Sequence, residues 1–239
     1  VHEKLLEFYF EVSKFLNIYD LVDDHYVIYT YYAPDGSFLV RLYCVDTSAN
    51  IQKCLDKANA AVFFSATLLP GQYYISLLSE AKDDYAIYAR SPFDPKNRAV
   101  LIGTDVSSRY TRRGQEEYMR IAAYIKQTVM QKKGNYLAFF PSYRMLQDVM
   151  ECTGPQLDTS IRCICQTSGM TEEEREAFLH EFEQKRKEDE GLLGFCVMGG
   201  IFGEGIDLKE DSLIGAIIVG TGIPQICRER EILKQYYDG

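Results

Sequence analysis

The chain has 239 residues, of which 46% are hydrophobic, and a formal net charge of −9. That is enough apolar material for a sizeable core, which excludes a disordered or fibrous chain, and the acidic balance counts against a general nucleic-acid-binding surface, so any such contact must be local. No apolar run approaches the roughly 18 residues a membrane helix needs, and Val1 to Asp20 mixes charged and apolar residues unlike a signal peptide, so the expectation is a cytoplasmic protein without a membrane partner.

Taken in order, Val1 to Ile18 places Leu5, Leu6, Phe8, Tyr9, Val12, Phe15 and Leu16 at a spacing near 3.6, which predicts an amphipathic helix. It has no capping residue at its start; a chain that opens inside a helix reads as a piece of something longer, although a trimmed terminus looks the same. Tyr26 to Tyr32 and Phe38 to Val45 flank Ala33-Pro34-Asp35-Gly36, turn chemistry that predicts a hairpin. Thr47 or Ser48 can cap a helix to about Lys57, and Ala60 to Ser65 reads as a buried strand. That strand would run into Ser65-Ala66-Thr67-Leu68, either a ligand-facing set of hydroxyls or the cap of a helix over Gly71 to Ala81.

The prolines of Ser91-Pro92-Phe93-Asp94-Pro95 predict an extended connection, with a domain boundary between Leu69 and Arg98. Ala99 to Thr104 is an expected strand, and Thr111 to Lys133 a helix stopped by Gly134. Strands and helices then alternate: Tyr136 to Phe140 and Ser142 to Cys152, Ile161 to Cys165 and Thr171 to Lys187, Leu192 to Met198, Leu213 to Val219 and Pro224 to Tyr237. Continuous apolar strands alternating with helices predict an α/β fold, a parallel sheet with helices on both faces. Thr171 with Glu174 forms a capping box.

The seven cysteines are odd in number and scattered, and read as reduced core thiols. Cys163 and Cys165 are either neighbours on one strand face or half of a metal site that lacks a second pair. Arg109, Arg112 and Arg113, with Lys126, Lys132 and Lys133, form the best basic cluster, either a nucleic-acid contact or a solvated helix face.

Four strand ends carry polar or glycine-rich loops: Pro141 to Arg144, Gln166 to Gly169, Gly199 to Asp207, and Gly220 to Pro224. In an open parallel sheet such loops share one edge, where ligands bind. Ser142 can hold a phosphate at a helix start or simply cap the helix; Tyr143 can stack on a base or lie in the core, and Arg144 can add charge. Glu204 and Asp207 would orient a water, a ribose hydroxyl or a basic group. The phosphate-binding sequence Gly-x-x-x-x-Gly-Lys-Ser/Thr does not occur, and Asp23-Asp24-His25 lacks the preceding hydrophobic strand of a magnesium-holding motif, so this polypeptide is not expected to bind and cleave a nucleoside triphosphate alone.

Read together, Ser65-Ala66-Thr67-Leu68-Leu69-Pro70, Phe139-Phe140-Pro141-Ser142-Tyr143, Gly203-Glu204-Gly205-Ile206-Asp207-Leu208, and Ile223-Pro224-Gln225 followed by Arg228-Glu229-Arg230 resemble, in order, the third, fourth and fifth motifs and the following segment of the DinG/XPD-like superfamily 2 DNA helicases, the iron-sulfur group. The resemblance implies two RecA-like motor domains that clamp ATP and draw single-stranded DNA across their tops, in repair or replication. Residues 1–70 resemble the end of the arch insertion and the last strands of helicase domain 1, and 71–239 resemble helicase domain 2, ending before the arginine-finger motif. By position, Ser65, Thr67 and Gly205 would serve the nucleotide, Glu204 and Asp207 the catalytic link, and Ser142, Tyr143 and Arg144 the DNA. The resemblance places ATP, magnesium and an iron-sulfur cluster in a longer parent and none of them in this segment, which is expected to be inactive without the partner domain 1. The alternatives are a non-catalytic RecA-like module that binds protein or nucleic acid, and a stand-alone nucleotide-binding enzyme, disfavoured by the missing glycine fingerprint.

Overall fold

The structure, a computed structural model, describes residues 2–79, 81, 83–222 and 226–238. It divides into two compact units, one made of Val1–Asp94 with Gln225–Gly239 and the other of Pro95–Pro224.

The first unit opens with helix α1 (His2–Tyr19). The hairpin follows, with β1 (Tyr26–Tyr32) antiparallel to β2 (Phe38–Cys44). Asp35 holds its turn by accepting from the Ser37 amide and hydroxyl at 2.9 and 2.7 Å, a local bond that favours the bend over a continued strand. Helices α2 (Ser48–Leu55) and α3 (Gly71–Leu78) come next. The last helix, α7 (Arg228–Asp238), belongs to this unit and packs on the hairpin. Its Glu229 accepts from the Tyr29 hydroxyl at 2.5 Å, while the Arg228 guanidinium lies 4.8 Å from the Tyr29 ring centre and donates to the Thr30 carbonyl at 3.1 Å.

The second unit carries the parallel sheet. Its elements are α4 (Gln115–Gln131), β3 (Asn135–Phe140), α5 (Tyr143–Thr153), β4 (Ile161–Cys165), α6 (Glu172–Glu183), β5 (Gly191–Val197) and β6 (Gly215–Ile218); a short 3₁₀ turn at Glu210–Ser212 precedes β6. The strand order is β4-β5-β3-β6, and all three pairings are parallel. The central strands are apolar on both sides because both sides are covered. On one face Tyr136, Ala138, Phe140, Leu193 and Phe195 meet Ile121, Ile125 and Val129 of α4 and Met145, Leu146 and Val149 of α5. On the other, Leu137, Leu192 and Cys196 meet Phe178 and Phe182 of α6. The α/β reading, a RecA-like parallel sheet with helices on both faces, is what is found.

Several expectations need correction. Residues 60–65 and 99–104 form no strand; Val62, Phe64 and Leu101 are 81%, 89% and 88% exposed. Apolar, β-prone sequence makes a strand only beside another strand that takes up its backbone groups, and among the described residues neither segment has one. Ser65 and Thr67 therefore do not stand at a strand end, and the residue before α3 is Pro70, with no side-chain cap. The helix expected from Thr111 begins at Gln115, after a 3₁₀ turn at Tyr110–Arg112, because Gly114 interrupts it. The helix capped by Thr171 ends at Glu183 rather than Lys187. The start of the last predicted helix, at Pro224, lies outside the described residues. All seven cysteines are free, but only Cys152 and Cys196 are buried, so the picture of core thiols holds for those two.

Two predictions follow from this packing. A methyl group on Gly194 of β5 would stand 2.8 Å from both Leu137 Cδ2 and Phe182 Cζ. Gly194→Ala is therefore expected to lower stability by about 1–3 kcal/mol in urea denaturation. The hydrogen bond to the Glu229 carboxylate, with burial second, raises the Tyr29 phenol from its ordinary 10.0 to about 12. A raised value means the contribution is complete below pH 10.0 and is lost as pH climbs through about 12. Tyr29→Phe should flatten the alkaline limb of an unfolding-against-pH curve in that window.

Candidate nucleic-acid and nucleotide edge

The sites of interest follow from where the parallel strands stop. At the end of β3 the chain turns at Pro141 into α5, and Ser142 adopts extended backbone and accepts from the Met145 amide at 3.3 Å. Ser142 is thus a helix cap, and the cap fixes the direction in which Tyr143 and Arg144 leave the sheet.

Tyr143 does not enter the core. Its hydroxyl accepts from Nε2 of Gln166 at 2.9 Å and lies 3.4 Å from the Thr167 carbonyl, to which it donates. Gln166 is 3% exposed, and its other amide end, Oε1, accepts from the Val197 amide at 2.9 Å. Its own backbone N–H donates to the Phe195 carbonyl at 2.8 Å. One buried amide thus ties the end of β4, the end of β5 and the start of α5 together, with both of its polar ends satisfied. The sequence marks Gln166 only as the first residue of a polar loop; the signal that could have found it is a large amide directly after a buried strand.

Beyond β5 the loop starts with a tight turn, Gly200 N–H to the Val197 carbonyl at 3.1 Å, and Gly199 and Gly205 have φ of +69° and +71°, which glycine adopts without strain. A methyl group on Gly200 would stand 2.9 Å from the Gln166 Nε2, so the loop passes directly over the glutamine. Phe202 is 1% exposed and stacks on Phe178 at 4.3 Å between ring centres. Ile206 and Leu208 pack against the same cluster. Between these anchors Glu204 and Asp207 are exposed, and Asp207 pairs with Lys209 at 3.4 Å. The loop holds its carboxylates outward by burying the apolar residues that alternate with them.

The other residues singled out by sequence are placed as follows. Arg144 is exposed and lines a cleft between α4 and α5. Ser65 and Thr67 belong to the first unit and are exposed; their hydroxyls are 3.0 Å apart, and the Thr67 amide donates to Ser65 Oγ at 3.2 Å. Ile223, Pro224 and Gln225 lie outside the described residues. Of the arginine cluster, Arg112 pairs with the buried Glu117 at 2.8 Å, and Arg113 donates from Nε to the Ser108 carbonyl at 3.1 Å. Cys163 and Cys165 take up the strand-face alternative, and among the described residues no cluster of His, Cys, Asp and Glu could hold a metal ion. No described helix is long and apolar enough to cross a membrane.

Truncating Phe202 to Ala should cost about 3–5 kcal/mol, by analogy with buried aromatic deletions, and should speed amide exchange across residues 199–208. Gln166→Leu removes both side-chain hydrogen bonds and is expected to cost about 1–3 kcal/mol, with faster exchange at the Val197 amide; unchanged exchange there would deny the glutamine its tethering role.

Residues 125–239 match the family described as "Helicase C-terminal domain". A Drosophila yakuba protein described as "Regulator of telomere elongation helicase 1 homolog" is 23% identical over 215 residues, covering 83% of this chain and 21% of that protein. "ATP-dependent DNA helicase CHL1" of Saccharomyces cerevisiae (strain YJM789) is 22% identical over 215 residues, 84% of this chain and 24% of that protein. The chain therefore spans about a quarter or less of these relatives' length. A solved structure titled "XPD_APO" superposes with a TM-score of 0.58 at 20% identity over 95% of this chain and 44% of the other, and so shares the fold. Residues 125–239 thus match a helicase C-terminal domain family, and the chain is similar to these DNA helicases and shares its fold with the solved XPD structure.

Proposed function

We propose that this chain, which carries a helicase C-terminal domain, is part of an ATP-dependent DNA helicase that couples ATP hydrolysis to movement along single-stranded DNA and to duplex unwinding, in repair or replication. The observation that carries the proposal is the shared edge of the sheet. A capped helix start with Tyr143 beside it and a glycine loop presenting Glu204 and Asp207 are bound to one another through Gln166. A displacement of the loop is thereby felt at the helix start, as a motor needs when nucleotide state must change the grip on a strand.

In this reading Ser142, Tyr143 and Arg144 touch the DNA, Tyr143 by stacking and Arg144 by charge. Glu204 and Asp207 act at the nucleotide cleft, with Gly205 giving the backbone room, and Ser65 and Thr67 transmit nucleotide state from the neighbouring region. ATP with magnesium would be held mainly by helicase domain 1 of the same parent chain. Residues 1–70 are proposed to be the end of the arch insertion and the last strands of that domain, and 71–239 helicase domain 2. The exposed apolar run at 61–64 suits a strand whose ladder partners lie in domain 1. An iron-sulfur cluster in the parent and a cytoplasmic location are part of the same proposal. The segment alone is expected to lack turnover, because the phosphate-binding loop and the arginine finger, which contributes on the order of 10³ or more to rate, are both needed.

The test is Asp207→Ala in the full-length parent. DNA-stimulated ATP hydrolysis should fall at least about tenfold, the scale of one lost transition-state interaction of about 1.4 kcal/mol, while the protein stays folded. Hydrolysis at the unaltered rate would remove Asp207 from the mechanism.

A further inference from the structure

A cleft of about 600 Å³ opens between α4 and α5, away from the glycine loop. One wall is the 3₁₀ turn before α4, where the Arg113 guanidinium stacks over the Tyr110 ring at 5.7 Å. The other wall is α5, which contributes Arg144 near its start and Asp148 and Glu151 one and two turns later.

This wall is built rather than incidental. Glu117 of α4, 6% exposed, accepts from the Ser107 amide and from Arg112 at 2.8 Å, and the Tyr124 hydroxyl donates to Asp105. These bonds strap residues 105–113 along α4. With its Nε held by the Ser108 carbonyl, Arg113 has no hydrogen-bond acceptor among the described residues at its two terminal amino groups, and Tyr110 is 82% exposed. Tyr118 lines the same cleft, and its phenol is raised above its ordinary value by burial first and then by the negative charge of Asp148. The cleft thus brings together two guanidinium groups, an open aromatic face and two carboxylates.

Those groups match the parts of a nucleotide. A guanidinium fork recognises a phosphate, an exposed tyrosine ring stacks on a base, and a carboxylate, which only accepts hydrogen bonds, recognises a base edge that donates. We propose that this cleft holds one nucleotide of a single strand, with its phosphate on Arg113 and Arg144, its base on Tyr110, and an exocyclic base amine directed to Glu151 or Asp148. The proposal rests on the DNA-binding reading above and extends it from the strand-end loops to a second subsite. It also assigns a base preference: cytosine presents an N4 amine to a carboxylate where thymine presents only the O4 acceptor.

The experiment measures binding of this chain to fluorescein-labelled oligodeoxycytidine and oligodeoxythymidine of equal length, by anisotropy at low salt. Wild type should favour deoxycytidine by up to about tenfold, the scale of one hydrogen bond to a charged acceptor. Glu151→Ala together with Asp148→Ala should abolish that preference. Tyr110→Ala, at an exposed position that folding does not need, and Arg113→Ala should each weaken both oligonucleotides several-fold, and Arg113→Lys should recover part of the affinity. Equal affinity of the wild type for the two oligonucleotides overturns the base assignment. If Tyr143→Ala weakens binding but Tyr110→Ala and Arg113→Ala do not, the cleft is not a subsite and the helicase reading stands. If none of the three weakens binding, the DNA reading of this domain itself fails.

Discussion

A glutamine amide buried at the end of a parallel sheet must satisfy both its donor and its acceptor from the protein, and Gln166 does so by reaching two different segments at once. Its acceptor end takes the last amide of β5 and its donor end the hydroxyl of Tyr143, so neither the glycine loop nor the start of α5 can shift far without leaving a buried polar group unpaired. That cost, about 1–3 kcal/mol per group, is large beside the net stability of a domain. The edge of the sheet is therefore mechanically continuous although its residues are scattered from Ser142 to Asp207.

The loop beyond β5 solves a second problem, that of presenting carboxylates without giving up order. Glycines at Gly199 and Gly205 make the turns, and the buried Phe202 with Ile206 and Leu208 anchor the backbone between them. Glu204 and Asp207 are left in solvent on a tethered backbone, where they are available to a cleft completed by another domain. A loop of the same composition without Phe202 would present the same charges but not hold them in place.

The two units put their apolar residues to different uses. In the second, the central strands and three helices cover one another, and the core is continuous on both faces of the sheet. In the first, the hairpin and the last helix are joined chiefly by polar contacts around Tyr29, and much of the apolar sequence is exposed, including Phe8, Phe10, Phe64, Tyr85 and Ile87. Exposed apolar surface on this scale is what a module presents where it packs on something else.

The sequence by itself determined the hairpin, the capped helices and the four parallel strands of the second unit, because each rests on local chemistry: the Asp35 turn, the Ser142 and Thr171 caps, and apolar runs of strand length. It also marked the strand-end loops, since polar and glycine residues following apolar runs can be read in one dimension. Only the tertiary structure decided which apolar runs become strands, because residues 60–65 and 99–104 have the composition of a strand but, among the described residues, no neighbour to pair with. Only it decided that Gln166 joins the edge, that Arg112 is taken up by Glu117, and that Arg113, Tyr110 and Arg144 share a cleft. Apart from the Arg112–Glu117 pair, five residues apart across the break at Gly114, those facts depend on contacts between residues tens of positions apart, and a side chain's partner across the fold leaves no trace in the spacing of its own neighbours.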